Sequence, residues 1–196
     1  RSGKTYMSGG IIIRESYEIN RFNVMIIIPC PTETVPQFNE ELFCKFHDFK
    51  NYNIHNITDY KVLEKIQMTP DDKNIIILSK PFLQNHIGKN TSKKLADLNL
   101  DMIIFDENHF SGTTDLSKEI LDTYSVQNTV KIYLTATYNK PLKTWAIPED
   151  CQMYWNIEDE HICKSIVDDE SNLEKFYEKY EKNEIDNILA NYHEKG

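Results

Sequence analysis

Four short apolar runs, separated by longer polar stretches, constrain the fold of this chain more than any other feature. They span residues 24–28, 75–78, 102–105 and 130–134, and most of their residues are isoleucine, valine or methionine. Runs of this length and composition are typical of strands that a parallel sheet buries on both faces. A weaker strand is predicted near residues 52–57. No apolar run approaches the length of a membrane span, so a transmembrane helix is not expected.

The stretches between these runs have the composition of helices. We expect one helix to begin at Lys4-Thr5 and to close at residues 11–13, and others over residues 34–48, 59–67, 82–98 and 116–124. Strands that alternate with helices predict an α/β fold with a doubly wound, mostly parallel sheet. A length of 196 residues suits one such domain, alone or with a helical appendage.

The pattern changes after Pro148. Residues 153–155 have the composition of one more strand, and from Asp168 onward the chain is strongly charged, with apolar residues at helical spacings. We therefore predict a first domain at residues 1–165 and a charged helical extension at residues 166–196. The extension is either a solvated amphipathic helix or helix pair, or a linker towards a further domain.

Charge and cysteine usage narrow the class of protein. The formal net charge of −9 argues against a chain that coats nucleic acid by bulk electrostatics, but leaves room for a groove with a few backbone contacts. The cysteines form no C-x-x-C pair and have no zinc-ligand spacing; they are Cys30, Cys44, Cys151 and Cys163. With no visible signal peptide, they favour reduced thiols and a cytoplasmic protein. Abundant Asn, Lys and Ile are typical of an AT-rich genome, and for a viral gene the compartment would be the host cytoplasm.

The first candidate site is Gly3-Lys4-Thr5, at the start of the first predicted helix. It matches the end of the phosphate-binding pattern G-x-x-x-x-G-K-[ST], whose first glycine would precede Arg1. In that pattern the lysine and the N–H groups of a glycine-containing turn bind phosphates, and the hydroxyl binds Mg²⁺. The alternative is a chance Gly-Lys-Thr in an ordinary turn.

The second candidate site is Asp106-Glu107, directly after the apolar run 102–105. Open α/β sheets bind their ligands at the carboxyl ends of strands. There an aspartate can hold Mg²⁺ and a glutamate can activate water. Taken alone, the pair is explained as well by two solvated carboxylates at the start of a loop. The two patterns in this order favour a nucleoside-triphosphatase core.

A third candidate, Thr135-Ala136-Thr137, follows the last predicted strand. Its two hydroxyls could hydrogen-bond the Asp-Glu loop of the neighbouring strand. The alternative is a plain exit from the strand, which a Thr-Ala-Thr sequence also suits.

Four motifs in order now resemble a known family: Gly3-Lys4-Thr5, Pro29-Cys30-Pro31-Thr32, Asp106-Glu107-Asn108-His109 and Thr135-Ala136-Thr137. They resemble the first RecA-like domain of superfamily-two helicases and translocases, over most of residues 1–160. The restriction-enzyme and DEAH-like branch is the most similar, because its acidic motif ends in histidine. The resemblance implies a RecA-like P-loop NTPase fold, ATP and Mg²⁺ as cofactors, and movement along nucleic acid, DNA rather than RNA. It also implies a second RecA-like domain as a partner, and no membrane.

The resemblance implies a role for each matching position. Catalysis would rest on Glu107 and Lys4, and Mg²⁺ would be held by Thr5 and Asp106. The nucleotide would be bound by Ser2, Gly3, Lys4, Thr5 and Tyr6. Nucleic acid would be contacted by Pro29, Thr32, Ser79 and Lys80. Coupling of hydrolysis to movement would use His109, Thr135 and Thr137.

The sequence also departs from the family's pattern. Asn108 stands where alanine is usual, which implies different local packing beside the acidic pair. The start of the phosphate-binding motif and the arginines of a second domain are not in this chain, so by itself it is expected to bind nucleotide poorly and to hydrolyse it slowly. A rival function is therefore a degenerate or truncated motor domain that binds nucleic acid or protein without turnover. A nucleotide kinase is a further rival, which the acidic motif with its histidine and the Thr-Ala-Thr loop disfavour.

Overall fold

A five-stranded, all-parallel sheet forms the centre of the protein. The computed structural model describes residues 3–86, 89–106, 115–135, 145–153, 161, 165, 170–177 and 181–193. The strands are β1 (Phe22–Ile28), β2 (Asn53–Ile57), β3 (Lys73–Ser79), β4 (Leu100–Phe105) and β5 (Ser125–Tyr133). Their order in the sheet is β2-β3-β1-β4-β5, and every neighbouring pair is parallel. The predicted α/β sheet is thus confirmed, including the weak strand at 52–57.

Helices follow the strands along the chain. They are α1 (Lys4–Glu15), α2 (Pro31–Phe38), α3 (Tyr60–Lys65), α4 (Lys80–His86), α5 (Asn90–Ala96), α6 (Asp115–Tyr124), α7 (Glu170–Tyr177) and α8 (Lys182–His193). Short 3₁₀ turns lie at His47–Phe49 and Glu149–Cys151. The predicted first helix, and those at 59–67 and 116–124, are confirmed. No described helix is long and apolar enough to cross a membrane.

The helix predicted over residues 34–48 is wrong in its bounds. Helix α2 begins three residues earlier, at Pro31, because a proline suits the first helical position. Pro36 lies inside α2, where it can donate no N–H and crowds the preceding turn. A π-helical turn over Asn39–Phe43 takes over after Phe38, and Cys44 N–H donates to the Asn39 carbonyl oxygen at 2.8 Å. The wider turn lets both Leu42 and Phe43 reach the core.

The helix predicted over residues 82–98 is also wrong, because two helices occupy this stretch. Helix α4 begins at Lys80, where the Ser79 hydroxyl accepts the Phe82 N–H at 3.2 Å. Lys89 has extended backbone angles, φ −98° and ψ 165°, which interrupt the helical path before α5. The sequence does carry a signal for this break, because residues 88–94 contain no apolar side chain and begin with Gly88.

Strand side chains alternate between the two faces of the sheet, and each face has its own helices. On what we call the α1 face, Val24, Ile26 and Ile28 of β1 form one core cluster with Ile12 of α1. On the opposite, α6 face, Met25 and Ile27 cluster with residues of α3, α4, α5 and α6. All seven β1 residues are buried, as predicted for a central strand of a parallel sheet.

A polar network fixes the amino end of the sheet. The side chains of Asn23 and Asn74 are fully buried, and Asn74 Nδ2 donates to Asn23 Oδ1 at 2.7 Å. Asn23 Nδ2 also donates to the carbonyl oxygens of Pro70 and Leu98, at 2.9 and 3.0 Å. Because buried amides cost free energy unless they are paired, these bonds hold the strand starts in one register.

The chain divides into two compact units, Arg1–Ala146 and Ile147–Gly196. In the second unit, Tyr177 of α7 donates its hydroxyl hydrogen to Asp186 Oδ1 of α8 at 2.6 Å. The charged tail therefore contains two helices that contact each other, and whether it also serves as a linker towards a further domain stays a prediction. The strand predicted at 153–155 lies largely outside the described residues. The functional domain boundary at residue 165 remains a prediction.

Candidate functional site

The register of the sheet brings four strand ends to one edge. Ile28 of β1 pairs with Ser79 of β3, and Ile27 pairs with Phe105 of β4. Phe105 in turn pairs with Tyr133 of β5. The residues that follow these strands are Pro29, Lys80, Asp106 and Leu134-Thr135. Candidate positions that are far apart in the sequence thus lie along the carboxyl edge, where parallel α/β sheets bind ligands.

Asp106 is held by the backbone ladder although it lies beyond the end of β4. Its N–H donates to the Ile27 carbonyl oxygen at 2.9 Å, and the Leu134 N–H donates to the Phe105 carbonyl oxygen at 2.9 Å. Asp106 is two residues after Ile104, whose side chain belongs to the α1 face. Strand alternation therefore directs the half-buried Asp106 side chain to the face that α1 covers.

The start of α1 has the backbone of a glycine-led helix terminus. Gly3 caps the helix with φ 67° and ψ 1°, a left-handed conformation that residues with a Cβ rarely adopt. Met7 N–H donates to the Gly3 carbonyl oxygen at 3.0 Å, so helical bonding begins at Gly3 itself. The first N–H groups of a helix have no intrahelical acceptor and form a site that favours anions. Lys4 and Thr5 are the first two helical residues, and Thr5 is only 9 % exposed.

Contacts at the other end of α1 set its direction. Lys73 Nζ, at the start of β3, donates to the Ser16 carbonyl oxygen at 3.0 Å, and the Ser16 and Tyr52 hydroxyls share a hydrogen bond. The carboxyl end of α1 therefore lies at the amino edge of the sheet. Twelve residues of helix rise about 18 Å, close to the length of β1. Gly3, Lys4 and Thr5 consequently lie towards the carboxyl edge that carries Asp106.

The close packing of α1 depends on a second glycine. A Cβ at Gly9 would lie 2.5 Å from Leu42 Cδ1, well inside van der Waals contact. The absence of a side chain lets α1 approach the π-helical turn that follows α2.

The loop after β1 leads into α2, whose first turn carries the exposed hydroxyl of Thr32. Cys30 is the cap residue of α2, with extended backbone, and Thr32 lies exposed in the first turn. The Cys30 Sγ and Thr32 Oγ1 atoms are 3.2 Å apart. Pro29 and Thr32 are thus at the carboxyl edge of the sheet; their contact with a polynucleotide backbone stays a prediction.

Ser79 and Lys80 are placed less favourably for such a contact. The Ser79 hydroxyl caps α4, although it can still donate its own hydrogen. Lys80 is 7 % exposed, and burial lowers the pKa of its ammonium group. A withdrawn ammonium group is poorly placed to bind a phosphate at the surface, so the burial argues against the predicted role of Lys80.

Several predicted site residues lie outside the described residues. They are Ser2, Glu107, His109 and Thr137, together with Asn108 and Ala136 of the same motifs. Sequence reasoning also missed a feature beside the site, a stack of the Phe105, Tyr133 and Trp145 rings. The available signal was that an aromatic residue directly precedes Asp106 and another comes two residues before Thr135.

A parallel sheet with a glycine-led helix start and an aspartate at its carboxyl edge defines a P-loop ATP-binding domain of the RecA-like class. The family described as type III restriction enzyme, res subunit (ResIII) matches residues 2–140. The chain therefore belongs to the ResIII family and is a helicase-like ATP-binding domain, of the N-terminal RecA-like type of superfamily two. None of the curated proteins matches the chain.

Proposed function

We propose that this chain is the first motor domain of an ATP-dependent nucleic-acid helicase or translocase. The carrying observation is that the start of α1 and Asp106 lie at the same edge and on the same face of the sheet. Family membership supports ATP binding, and this geometry supports a site that positions a nucleotide with its metal.

The donor set fits Mg²⁺ and a triphosphate. Mg²⁺ prefers oxygen ligands and usually takes one or two from protein side chains. The Thr5 hydroxyl and the Asp106 carboxylate would supply them, directly or through water. The left-handed Gly3 opens the first turn of α1, whose N–H groups suit phosphate oxygens. When bound, Mg²⁺ would neutralise charge on the phosphates as the γ-phosphoryl group leaves.

Each residue has a defined task in this proposal. Lys4 would pair with the γ-phosphate charge, and Ser2 and Tyr6 would flank the nucleotide. Glu107 would orient the attacking water and accept its proton. Because phosphoryl transfer relies on positioning and charge stabilisation, loss of either Lys4 or Glu107 should stop turnover.

The nucleic acid along which the motor moves would be held at the loops after β1 and β3. The exposed Thr32 and the edge residue Ser79 would hydrogen-bond backbone phosphates, with Pro29 shaping the first loop. Such contacts carry little sequence information and suit a motor that moves along any sequence. Because the net charge of the whole chain is −9, we expect it to hold nucleic acid through these few contacts and not by bulk charge. DNA is the expected nucleic acid. Movement would further need His109, Thr135, Thr137 and a second RecA-like domain.

ATP hydrolysis by the full-length protein tests the proposal. The rate is measured with no nucleic acid and with single- and double-stranded DNA and RNA. We expect stimulation by DNA, and a Thr32→Ala variant should need more DNA for half-maximal stimulation while its KM for ATP stays the same. Stimulation by RNA alone would mean that the protein moves along RNA instead of DNA, and the proposed motor function would stand. Absence of hydrolysis under every condition would overturn the proposal in favour of a binding module without turnover.

A further inference from the structure

Three aromatic rings are stacked at the carboxyl ends of β4 and β5. The ring centroids of Phe105 and Tyr133 are 5.7 Å apart with an interplanar angle of 20°. The indole of Trp145 continues the stack, 5.1 Å from Tyr133 at 21°. Offset parallel rings at these separations attract one another beyond their apolar contact. The stack therefore ties the last residues of two strands to a residue that follows β5 at some distance in the chain.

The position of this stack in the chain gives it a particular consequence. Tyr133 is the last residue of β5, and the chain returns to the ring of Tyr133 at Trp145. Tyr133 and Trp145 are thus in contact, although the segment 134–144 separates them in the sequence. Thr135 and Thr137, the proposed coupling residues, lie within that segment. Phe105, the third ring, directly precedes Asp106.

Within the part of the chain that the structure describes, ring stacking holds the Trp145 indole. The indole Nε1 atom is buried and has no hydrogen-bond partner among the described residues. An unpaired buried N–H is unfavourable, so packing must offset it. The next residue, Ala146, has φ 47°, a left-handed conformation that is unfavourable for alanine. Strained conformations persist where surrounding contacts fix the chain, and they are common at functional sites.

The stack lies on the face of the sheet opposite α1. Tyr133 and Trp145 pack against the cluster of the α6 face, whereas Ile12 of α1 belongs to the other cluster. Trp145 is consequently separated from the proposed nucleotide site by the sheet. Among the described residues, the contacts that lead from Trp145 towards that site run through Tyr133 and Phe105 to Thr135 and Asp106.

We propose that Trp145 is a positioning residue for ATP hydrolysis. By stacking on Tyr133, whose ring stacks in turn on Phe105, it fixes the ends of β5 and β4 and so holds Thr135 in register with Asp106. This inference rests on the proposed ATPase function. A tryptophan that merely fills the core would contribute to stability but would not affect the chemical step separately from nucleotide binding.

Kinetics of two variants of the full-length protein separate these roles. Trp145→Phe keeps a stacking ring, and Trp145→Ala removes it. We expect Trp145→Ala to lower kcat about tenfold or more, because small displacements of reacting groups are costly to the rate, while the Kd of Mg²⁺·ATP changes less than about twofold. Trp145→Phe should recover most of kcat. Tyr17→Ala, which removes an aromatic ring that is 72 % exposed, is the matched control and should behave as the wild type.

Two kinetic outcomes would overturn the inference. One is an unchanged kcat in Trp145→Ala. The other is a parallel loss of ATP affinity, kcat and melting temperature that Trp145→Phe fails to repair, since that pattern describes a purely structural residue.

Hydrogen exchange supplies a readout that does not need activity. In Trp145→Ala, the amides of Leu134 and Thr135 should exchange faster, whereas those of β1 should exchange as in the wild type. Equal protection of Leu134 and Thr135 in both proteins would overturn the inference even if the wild type is an active ATPase. A wild type that neither binds nor hydrolyses ATP would instead refute the proposed function, whatever the exchange result. The two failures are therefore distinguishable.

Discussion

The backbone N–H of Asp106 donates to the carbonyl oxygen of Ile27 at 2.9 Å, one residue past the end of β4. This bond joins the acidic motif to the central strand, whose seven residues are all buried. The backbone of Asp106 is therefore anchored to the buried central strand, although Asp106 itself lies one residue beyond the end of β4. An anchored backbone suits the proposed role of Asp106, which is to hold a metal ion at a fixed distance from phosphates.

Lys4→Ala should reduce kcat/KM for ATP by about 100-fold or more, because it removes the cation that pairs with the γ-phosphate. Steady-state ATPase assays of the full-length protein measure this loss. Lys50→Ala, which removes an exposed lysine far along the chain, provides the control and should retain wild-type rates. Comparable activity of the Lys4 and Lys50 variants would refute the role of Lys4.

Glu107→Gln should retain ATP binding and lose hydrolysis by about 100-fold or more, because the amide cannot accept a proton from water. Equilibrium binding of labelled ATP and single-turnover hydrolysis measure the two quantities separately. Asn108→Ala, at the adjacent position, should keep turnover, since the aspartate and glutamate roles do not depend on it. Normal hydrolysis by Glu107→Gln would remove Glu107 from the mechanism.

Substitution by alanine should have opposite effects on stability at Gly3, which caps α1, and at Gly10, which lies within α1. Gly3→Ala should destabilise the start of α1 by about 1 kcal/mol, since its φ of 67° is unfavourable for an L residue. It should also weaken nucleotide binding. Gly10→Ala should raise the free energy of unfolding by about 0.5–1 kcal/mol, because alanine favours a helix interior and nothing lies within 4 Å of its Cβ. Denaturant unfolding measures both changes, and equal effects would contradict the left-handed cap.

Stability should fall at alkaline pH through two tyrosines, the buried Tyr124 and the half-buried Tyr133. Burial raises the pKa values of Tyr124 and Tyr133 to about 12, from an ordinary value near 10. The folded state thus favours the neutral phenol. This contribution is complete below pH of about 10 and is lost as the pH rises towards about 12, where the unfolded chain has already released its protons. Urea unfolding across this range measures the decline.

Tyr124→Phe isolates one of these two groups. The Tyr124 hydroxyl is buried without a hydrogen-bond partner among the described residues. Its removal should raise stability at neutral pH by about 1 kcal/mol and reduce the alkaline decline. Tyr17→Phe, at an exposed position, should change neither quantity. A lower stability of Tyr124→Phe at pH 7 would show that the hydroxyl has a partner in solution.

The sheet was predictable from sequence because its signal is local and strong. Runs such as 24–28 are apolar at every position, and only burial on both faces explains that. The first half of β5 was missed because residues 126–128 are exposed and carry no apolar pattern. Its anchor is polar: the Thr129 hydroxyl donates to the Leu100 carbonyl oxygen at 2.7 Å. Such a bond depends on a neighbour 29 residues away, which periodicity cannot reveal.

The residue types of the candidate site could be predicted from the sequence, but the burial and the contacts of these residues could not. The Gly3-Lys4-Thr5 and Asp106 motifs were expected at the carboxyl edge and lie towards it, because strand ends of a parallel sheet converge there. The burial of Lys80 was not visible, because a lysine after a strand looks the same in sequence whether its side chain is exposed or enclosed. The Trp145 stack was likewise hidden, since it joins three separate parts of the chain.

The buried amide pair at the amino end of the sheet limits how this protein can diverge. Asn23 and Asn74 hydrogen-bond to each other and to backbone carbonyl oxygens. A substitution at one position therefore leaves buried polar atoms at the other without a hydrogen-bond partner. Selection should remove single substitutions at these positions and should retain only substitutions that change both residues together. Among descendants of this sequence, positions 23 and 74 should therefore covary, although neither lies near the proposed ATP site.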